Sequence, residues 1–184
     1  MERSTRWLIG ESIVIVVLLG ILGFLRFPLI FSYDVHKTIH IVGAVLFLGN
    51  IIVTGAWMLF AERNGGQAVL HFAAKTTNWA DVFFTAPGVF LLVSNGFIMA
   101  TTWGGFGASW VVAALVLLSL SGIVWVIFLI PDQERLIRYS MPPEKGGDEA
   151  LLLRTLHRWY FWGAVATVLP LMSLGLMVLK PRLW

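Results

Sequence analysis

Five long apolar stretches run through this chain, and they constrain its fold more than any other feature. A helix that crosses a membrane needs about 20 mostly apolar residues to cover roughly 30 Å of hydrocarbon. The predicted spans are Trp7–Phe31, His36–Phe60, Asp81–Ala100, Trp110–Ile130 and Trp159–Leu179. The sequence therefore predicts an all-α fold, a polytopic transmembrane helical bundle with five transmembrane helices that forms one integral membrane domain over residues 1–184.

Composition supports solvation by lipid. Only 12% of the residues are charged, while 58% are hydrophobic. A soluble domain uses about 25% charged residues to cover its surface. The net charge of +3 is spread over short loops, which argues against nucleic acid as a partner. Cysteine is absent, so disulfides and thiolate metal sites are excluded.

Proline, glycine and an acidic residue mark the predicted span ends. Pro28 closes the first span, Gly104 and the following glycine separate the third from the fourth, and Pro131 stops the fourth. Asp148 is the predicted cap of a helix that leads into the fifth span. Residues Gln67 to Asn78 form either a short interfacial helix or an extension of the third span.

The distribution of positive charge predicts the orientation, because cytoplasmic loops are enriched in Lys and Arg. With the N-terminus inside, nine cations lie on the inner side and four on the outer side. The inner set is Arg3, Arg6, Arg63, Lys75, Arg135, Arg138, Lys145, Arg154 and Arg158, and the outer set is Arg26, Lys37, Lys180 and Arg182. We therefore predict an N-in, C-out protein that passes several times through a bacterial inner membrane.

Two helix faces carry the polar residues of the predicted spans. Residues three or four positions apart share a helix face. The second span presents His36, His40, Gly43, Phe47, Asn50 and Thr54, and the third presents Asn78, Asp81, Thr85, Gly88, Asn95 and Met99. Neither face suits lipid, so we expect them to meet. They either pack two helices tightly together or line a cofactor, quinone or ion site.

The four histidines allow two kinds of metal chemistry. His36 and His40 lie four residues apart on one helix face, where they would chelate a metal ion near Asp34 or simply anchor the helix at the interface. Two histidines on one face cannot supply both axial ligands of a haem. His71 and His157 belong to the opposite side of the membrane in the predicted topology, so only a single haem with His40 as one ligand remains.

Two segments resemble known families. Residues 37–55 (KTIHIVGAVLFLGNIIVTG) and 78–88 (NWADVFFTAPG) resemble the signatures of an uncharacterised family of predicted bacterial integral membrane proteins, a domain of unknown function. More distantly, a histidine followed by small residues is similar to the copper-resistance D and HemJ-type membrane proteins. That resemblance implies a haem-ligating role for His40. The HemJ type also has a lysine in a later membrane helix, and the predicted span interiors here contain none.

The leading hypothesis is a membrane protein with a b-type haem or a quinone-linked redox role. His40, Asn50, Asp81 and Asn95 are its predicted cofactor-binding residues, and His36 with His40 forms the predicted metal site. One alternative is a non-catalytic subunit or assembly factor whose partners are other membrane subunits or a second copy of the chain. Another is a small metal or solute permease that uses Glu11. The sequence leaves open whether the protein is an enzyme.

Overall fold

The computed structural model describes residues 1–24, 29–100 and 107–184, and in these ranges it is helical without β-strands. The α-helices are α1 (Arg3–Phe24), α2 (Tyr33–Asn64), α3 (Gly66–Ala80), α4 (Ala86–Ala100), α5 (Ser109–Val124), α6 (Ile130–Tyr139) and α7 (Glu149–Leu179). Two π-helical turns, Asp81–Thr85 and Trp125–Leu129, join α3 to α4 and α5 to α6. A short 3-10 turn, Pro143–Lys145, precedes α7.

Four continuous helices in the described ranges are long and apolar enough to cross a membrane: Tyr33–Asn64, Gly66–Ala100, Ser109–Tyr139 and Glu149–Leu179. An all-helical membrane protein is thereby confirmed. The remaining predicted span, Trp7–Phe31, corresponds to α1, which has 22 residues, and part of that span lies outside the described residues. Five spans and the N-in orientation stay predictions.

Two boundary predictions are settled by these helices. Residues Gln67 to Asn78 extend the third span, since α3 runs without interruption into α4. The prediction that Pro131 stops the fourth span is wrong, because that helix continues to Tyr139. The predicted boundaries at Pro28 and at Gly104 with its neighbouring glycine lie outside the described residues, as does Arg26.

A π-helical turn precedes each of two prolines past which a helix continues, Pro87 and Pro131. Each turn ends two residues before a proline, Pro87 or Pro131. Proline has no N–H, and its ring collides with the carbonyl four residues earlier in a regular α-helix. Here the N–H of Ala86 donates to the carbonyl of Asp81, five residues back, and Ile130 does the same to Trp125. The wider turn shifts the hydrogen-bond register before the proline, so the helix is not broken.

Helix α2 packs chiefly against α4, and α5 packs against α7. Two glycines allow the first contact to be close. A Cβ added at Gly43 would lie 2.5 Å from the backbone nitrogen of Leu92 and 2.7 Å from the carbonyl oxygen of Gly88. A Cβ added at Gly88 would lie 2.8 Å from the backbone nitrogen of Phe47. The predicted meeting of the two polar faces is confirmed.

Several helix segments lie together at one end of the bundle: the start of α1, the end of α2, α3, the end of α6 and the start of α7. The backbone N–H of Glu2 donates to Glu134 over 2.9 Å, and Tyr160 donates to Glu62 over 2.9 Å. The predicted cap of α7 is confirmed, because the Asp148 side chain accepts from the N–H of Leu151. The nine cations predicted for the inner side all belong to these segments or to the loop between α6 and α7.

The α2–α4 contact gives a test of the fold. We expect Gly43→Ala to destabilise the protein by about 1–3 kcal/mol, because the new methyl group would collide with the backbone of α4. Gly49→Ala is the matched control on the same helix, since a Cβ there meets nothing within 4 Å. Replacing this glycine with alanine should be neutral or stabilise the helix by up to about 1 kcal/mol. Thermal unfolding in detergent compares the two, and equal melting temperatures would contradict the close contact.

Candidate functional site: an intramembrane cavity

A cavity of about 1300 Å³ lies between the helices. Residues of all seven α-helices and of both π-helical turns line it, and most of them are apolar. Several of its hydroxyl groups donate to backbone carbonyls: Ser12 to Leu8, Thr54 to Asn50, Ser121 to Ala166 and Thr167 to Gly163. Because these hydroxyl groups already donate to the backbone, their protons are not available to a molecule in the cavity. Asp81, Thr85 and Gln133 form a polar part of the lining.

Asp81 is the centre of a buried hydrogen-bond network. Its side chain is 3% exposed and lies on the first π-helical turn. Oδ1 accepts from Asn50 Nδ2 over 2.9 Å and from Thr85 Oγ1 over 2.7 Å. Oδ2 accepts from Gln133 Nε2 over 2.7 Å, and Trp125 provides a further hydrogen-bonding contact. The carboxylate thus ties α2 and the two π-containing helices together.

The partners of Asp81 are all neutral, which distinguishes it from the other deeply buried carboxylate. Asp132 is 1% exposed and is bound by two cations, Arg135 and Arg158. Across the described ranges, Asp81 makes no such ion pair. An acidic group inside a membrane protein is costly, and one without a cation beside it marks a functional site more often than a structural one.

Three buried polar atoms of side chains in the cavity lining have no hydrogen-bond partner among the described residues. They are Thr77 Oγ1, Gln133 Oε1 and Trp159 Nε1, and each is buried. All three side chains line the cavity. An unpaired buried donor or acceptor costs about 1–3 kcal/mol, so a ligand that pairs with these atoms would recover that free energy.

A second polar cluster lies nearer the N-terminus of α2. His36 is buried, and its Nε2 accepts from the N–H of Phe31 over 3.3 Å. Its Nδ1 therefore carries the proton that is donated to Asn95 Oδ1 over 2.7 Å. Both ring nitrogens of His36 are thus engaged by the protein. A metal site at His36 and His40 stays a prediction.

His40 is placed differently from His36. Its Nδ1 lies 2.6 Å from the carbonyl oxygen of Leu92, which can only accept, so Nδ1 carries the proton. The ring packs against Gly96, where an added Cβ would lie 3.2 Å from Cε1. The lone pair of Nε2 is left for another partner, as in histidines that ligate metals.

The predicted site residues therefore fall into two groups at one helix interface. Asn50 and Asp81 are hydrogen-bonded to each other, whereas Asn95 bonds His36, and His40 bonds the α4 backbone. Of the other histidines, His71 contacts Ser140 Oγ and His157 is exposed. None of the four histidines lines the cavity, all four being within the described ranges.

Sequence reasoning missed Gln133 and Trp159. Gln133 follows Pro131, where the span was expected to end, so it was assigned to a loop. Trp159 entered the sequence analysis only as the first residue of the last predicted span, whereas in the structure it is 7% exposed and lines the cavity. The position of Gln133, two residues after Pro131, does not by itself indicate that its side chain faces a cavity, because that depends on the π-helical turn before the proline.

The Asp81 network can be tested by removing one donor. We expect Asn50→Leu to destabilise the protein by about 1–3 kcal/mol, because the buried carboxylate loses a hydrogen bond and no new donor replaces it. Thr167→Val is the matched control, since this hydroxyl also lines the cavity but bonds its own helix. Chemical unfolding in detergent measures both, and a neutral Asn50→Leu would contradict the network.

Comparisons with known proteins place the chain in a family. No curated protein and no solved structure matches it. The more distant similarity to the copper-resistance D and HemJ-type proteins stays a prediction. A family model described as "Predicted integral membrane protein (DUF2269)" matches residues 34–181, which include both segments that carried the closer resemblance. The chain therefore belongs to this family of predicted integral membrane proteins.

Proposed function

We propose that the protein binds a neutral, lipophilic molecule of the quinone class within the bilayer. The observation that carries the proposal is the cavity of about 1300 Å³, which has apolar walls and a polar group of residues around Asp81. Ordinary small-molecule sites measure about 300–1,000 Å³, so this cavity has room for a ring and part of an apolar tail.

The charge of the lining excludes most other lipids. Among the described residues that line the cavity, none is Lys or Arg. A phosphate or carboxylate head group would lack a cation and would lie near the Asp81 carboxylate, which would repel it. Phospholipids and fatty acids are therefore poor ligands for the polar part of this site.

The polar lining suits a carbonyl or hydroxyl group. Gln133 and Trp159 offer unpaired buried atoms there, and Asp81 holds Gln133 in place. Quinones and quinols carry such oxygen atoms on a neutral ring with a long apolar tail. They also carry electrons within membranes, so binding in this cavity would give the protein a quinone-linked redox role.

Filling the cavity tests this proposal. Gly163 lines the cavity on α7, and a Cβ there meets nothing within 4 Å, so Gly163→Phe would occupy the space of the ligand. Gly175→Phe is the matched control, because Gly175 is equally unobstructed on the same helix but does not line the cavity. Calorimetric titration with decylubiquinone in nanodiscs, corrected for empty nanodiscs, measures binding.

We expect Gly163→Phe to weaken decylubiquinone binding about tenfold or more and Gly175→Phe to leave it unchanged. Equal affinity in the two variants would contradict the cavity as the site. Absence of binding to the unmodified protein, together with stoichiometric protein partners in native membranes, would favour the subunit or assembly-factor hypothesis instead.

A b-type haem at His40 is a second candidate. It is supported by the hydrogen bond from Nδ1 to Leu92, which orients the ring and leaves Nε2 to bind iron. Such a haem would lie outside the cavity, because His40 is not part of its lining. The two candidates are therefore compatible within one redox protein.

The haem proposal predicts a b-type reduced-minus-oxidised spectrum for protein that is produced with ample haem. We expect His40→Ala to abolish the signal, because it removes the iron ligand. His157→Ala is the control, since this exposed histidine lies elsewhere, on α7. A spectrum that survives His40→Ala, or one that is absent from the unmodified protein, would overturn the assignment.

A further inference from the structure

We infer that the cavity prefers the hydroxyl-bearing, reduced form of its ligand, a quinol, over the carbonyl-bearing quinone. This inference rests on the proposed function and concerns the hydrogen-bonding pattern that the wall offers. It follows from the orientation of one amide and one indole.

Asp81 fixes the orientation of Gln133. A carboxylate only accepts hydrogen bonds, so the atom of Gln133 that lies 2.7 Å from Asp81 Oδ2 is the amide nitrogen. Gln133 Oε1 must then lie on the other side of the amide group, where it is buried and has no partner among the described residues. The side chain is 3% exposed and lines the cavity. At this position the wall offers a free acceptor.

The network behind Asp81 prevents the amide from turning over. Oδ1 of the carboxylate is already engaged by Asn50 and Thr85. Reversing Gln133 would bring two acceptor oxygens together at Oδ2, which is unfavourable in a buried site. Asp81 is therefore a positioning residue for the acceptor of Gln133.

Trp159 offers the complementary group. The indole nitrogen can only donate, and within the part of the chain that the structure describes it is buried without a hydrogen-bond partner. The side chain is 7% exposed and lines the same cavity. Besides the Thr77 hydroxyl, which can donate or accept, the lining thus includes a donor at Trp159 and an acceptor at Gln133 that have no partner among the described residues.

A hydroxyl group matches this pair, because it donates and accepts at once. A quinone carbonyl only accepts, so it could satisfy Trp159 but would leave Gln133 Oε1 unpaired. Sites that are built to hydrogen-bond a hydroxyl reject analogues that lack it, because their own polar groups are then left buried and unsatisfied. The quinol is therefore the better ligand.

The experiment compares decylubiquinol with decylubiquinone in nanodiscs under anaerobic conditions, by calorimetric titration. We expect the quinol to bind about tenfold more tightly. Equal affinities, or tighter binding of the quinone, would overturn this inference while leaving the proposed function intact. Failure of both molecules to bind would contradict the proposed function itself.

Variants locate the preference at Gln133. Gln133→Met removes the acceptor with little change in volume, so we expect it to reduce the quinol-to-quinone affinity ratio to about one while quinone binding persists. Asp81→Asn should lower the same ratio, because the amide nitrogen of an asparagine can donate to the oxygen of a reversed Gln133 and so permits that orientation. Thr38→Val, whose hydroxyl bonds Asp34 on its own helix outside the cavity lining, should keep the ratio of the unmodified protein.

The affinity ratio separates this role from a structural one, because general destabilisation would weaken both ligands alike. If Asp81→Asn fails to fold, Gln133→Met still tests whether Gln133 supplies the acceptor that favours the quinol. A quinol preference that Gln133→Met retains in full would overturn the assignment of the acceptor.

Discussion

The structure depends on a buried carboxylate that is held only by neutral donors. Asp81 receives hydrogen bonds from Asn50 on α2, from Thr85 on its own π-helical turn and from Gln133 on α6. These bonds join helices that are distant in the sequence, and they do so beside the cavity. Asp132, in contrast, is neutralised by Arg135 and Arg158 and serves to hold α7 against α6. One buried carboxylate, Asp132, is therefore paired with arginine, whereas the other, Asp81, is not paired with a cation among the described residues.

The packing of α2 on α4 could be predicted from the sequence because helical periodicity alone determines which residues share a face. Gly43, Asn50 and Asp81 were assigned correctly to the contact, and the glycines permit the backbones to approach. The continuation of the fourth span could not be predicted. Proline normally ends or kinks a helix, whereas this one continues past Pro131 after the π-helical turn at Trp125–Leu129. Gln133 was therefore missed, and with it the third helix of the Asp81 network.

The histidines illustrate a different limit of sequence reasoning. Spacing predicts that His36 and His40 share a face, and both do point at α4. It cannot predict that Phe31 and Asn95 bond both ring nitrogens of His36. Nor can it predict that His40 bonds Leu92 through Nδ1 alone among the described residues. That difference depends on side chains of α4 and on the backbone before α2. Of the two candidate ligands, His40 is therefore the one whose Nε2 is left to bind another partner.

The central claim is that the cavity is a binding site for a neutral molecule of the quinone class. Organic extraction of protein purified from native membranes, followed by chromatographic quantification of quinones and phospholipids, tests it most directly. We expect about one quinone-class molecule per chain, retained through purification. Phospholipid alone in the extract, with no quinone or quinol, would contradict it.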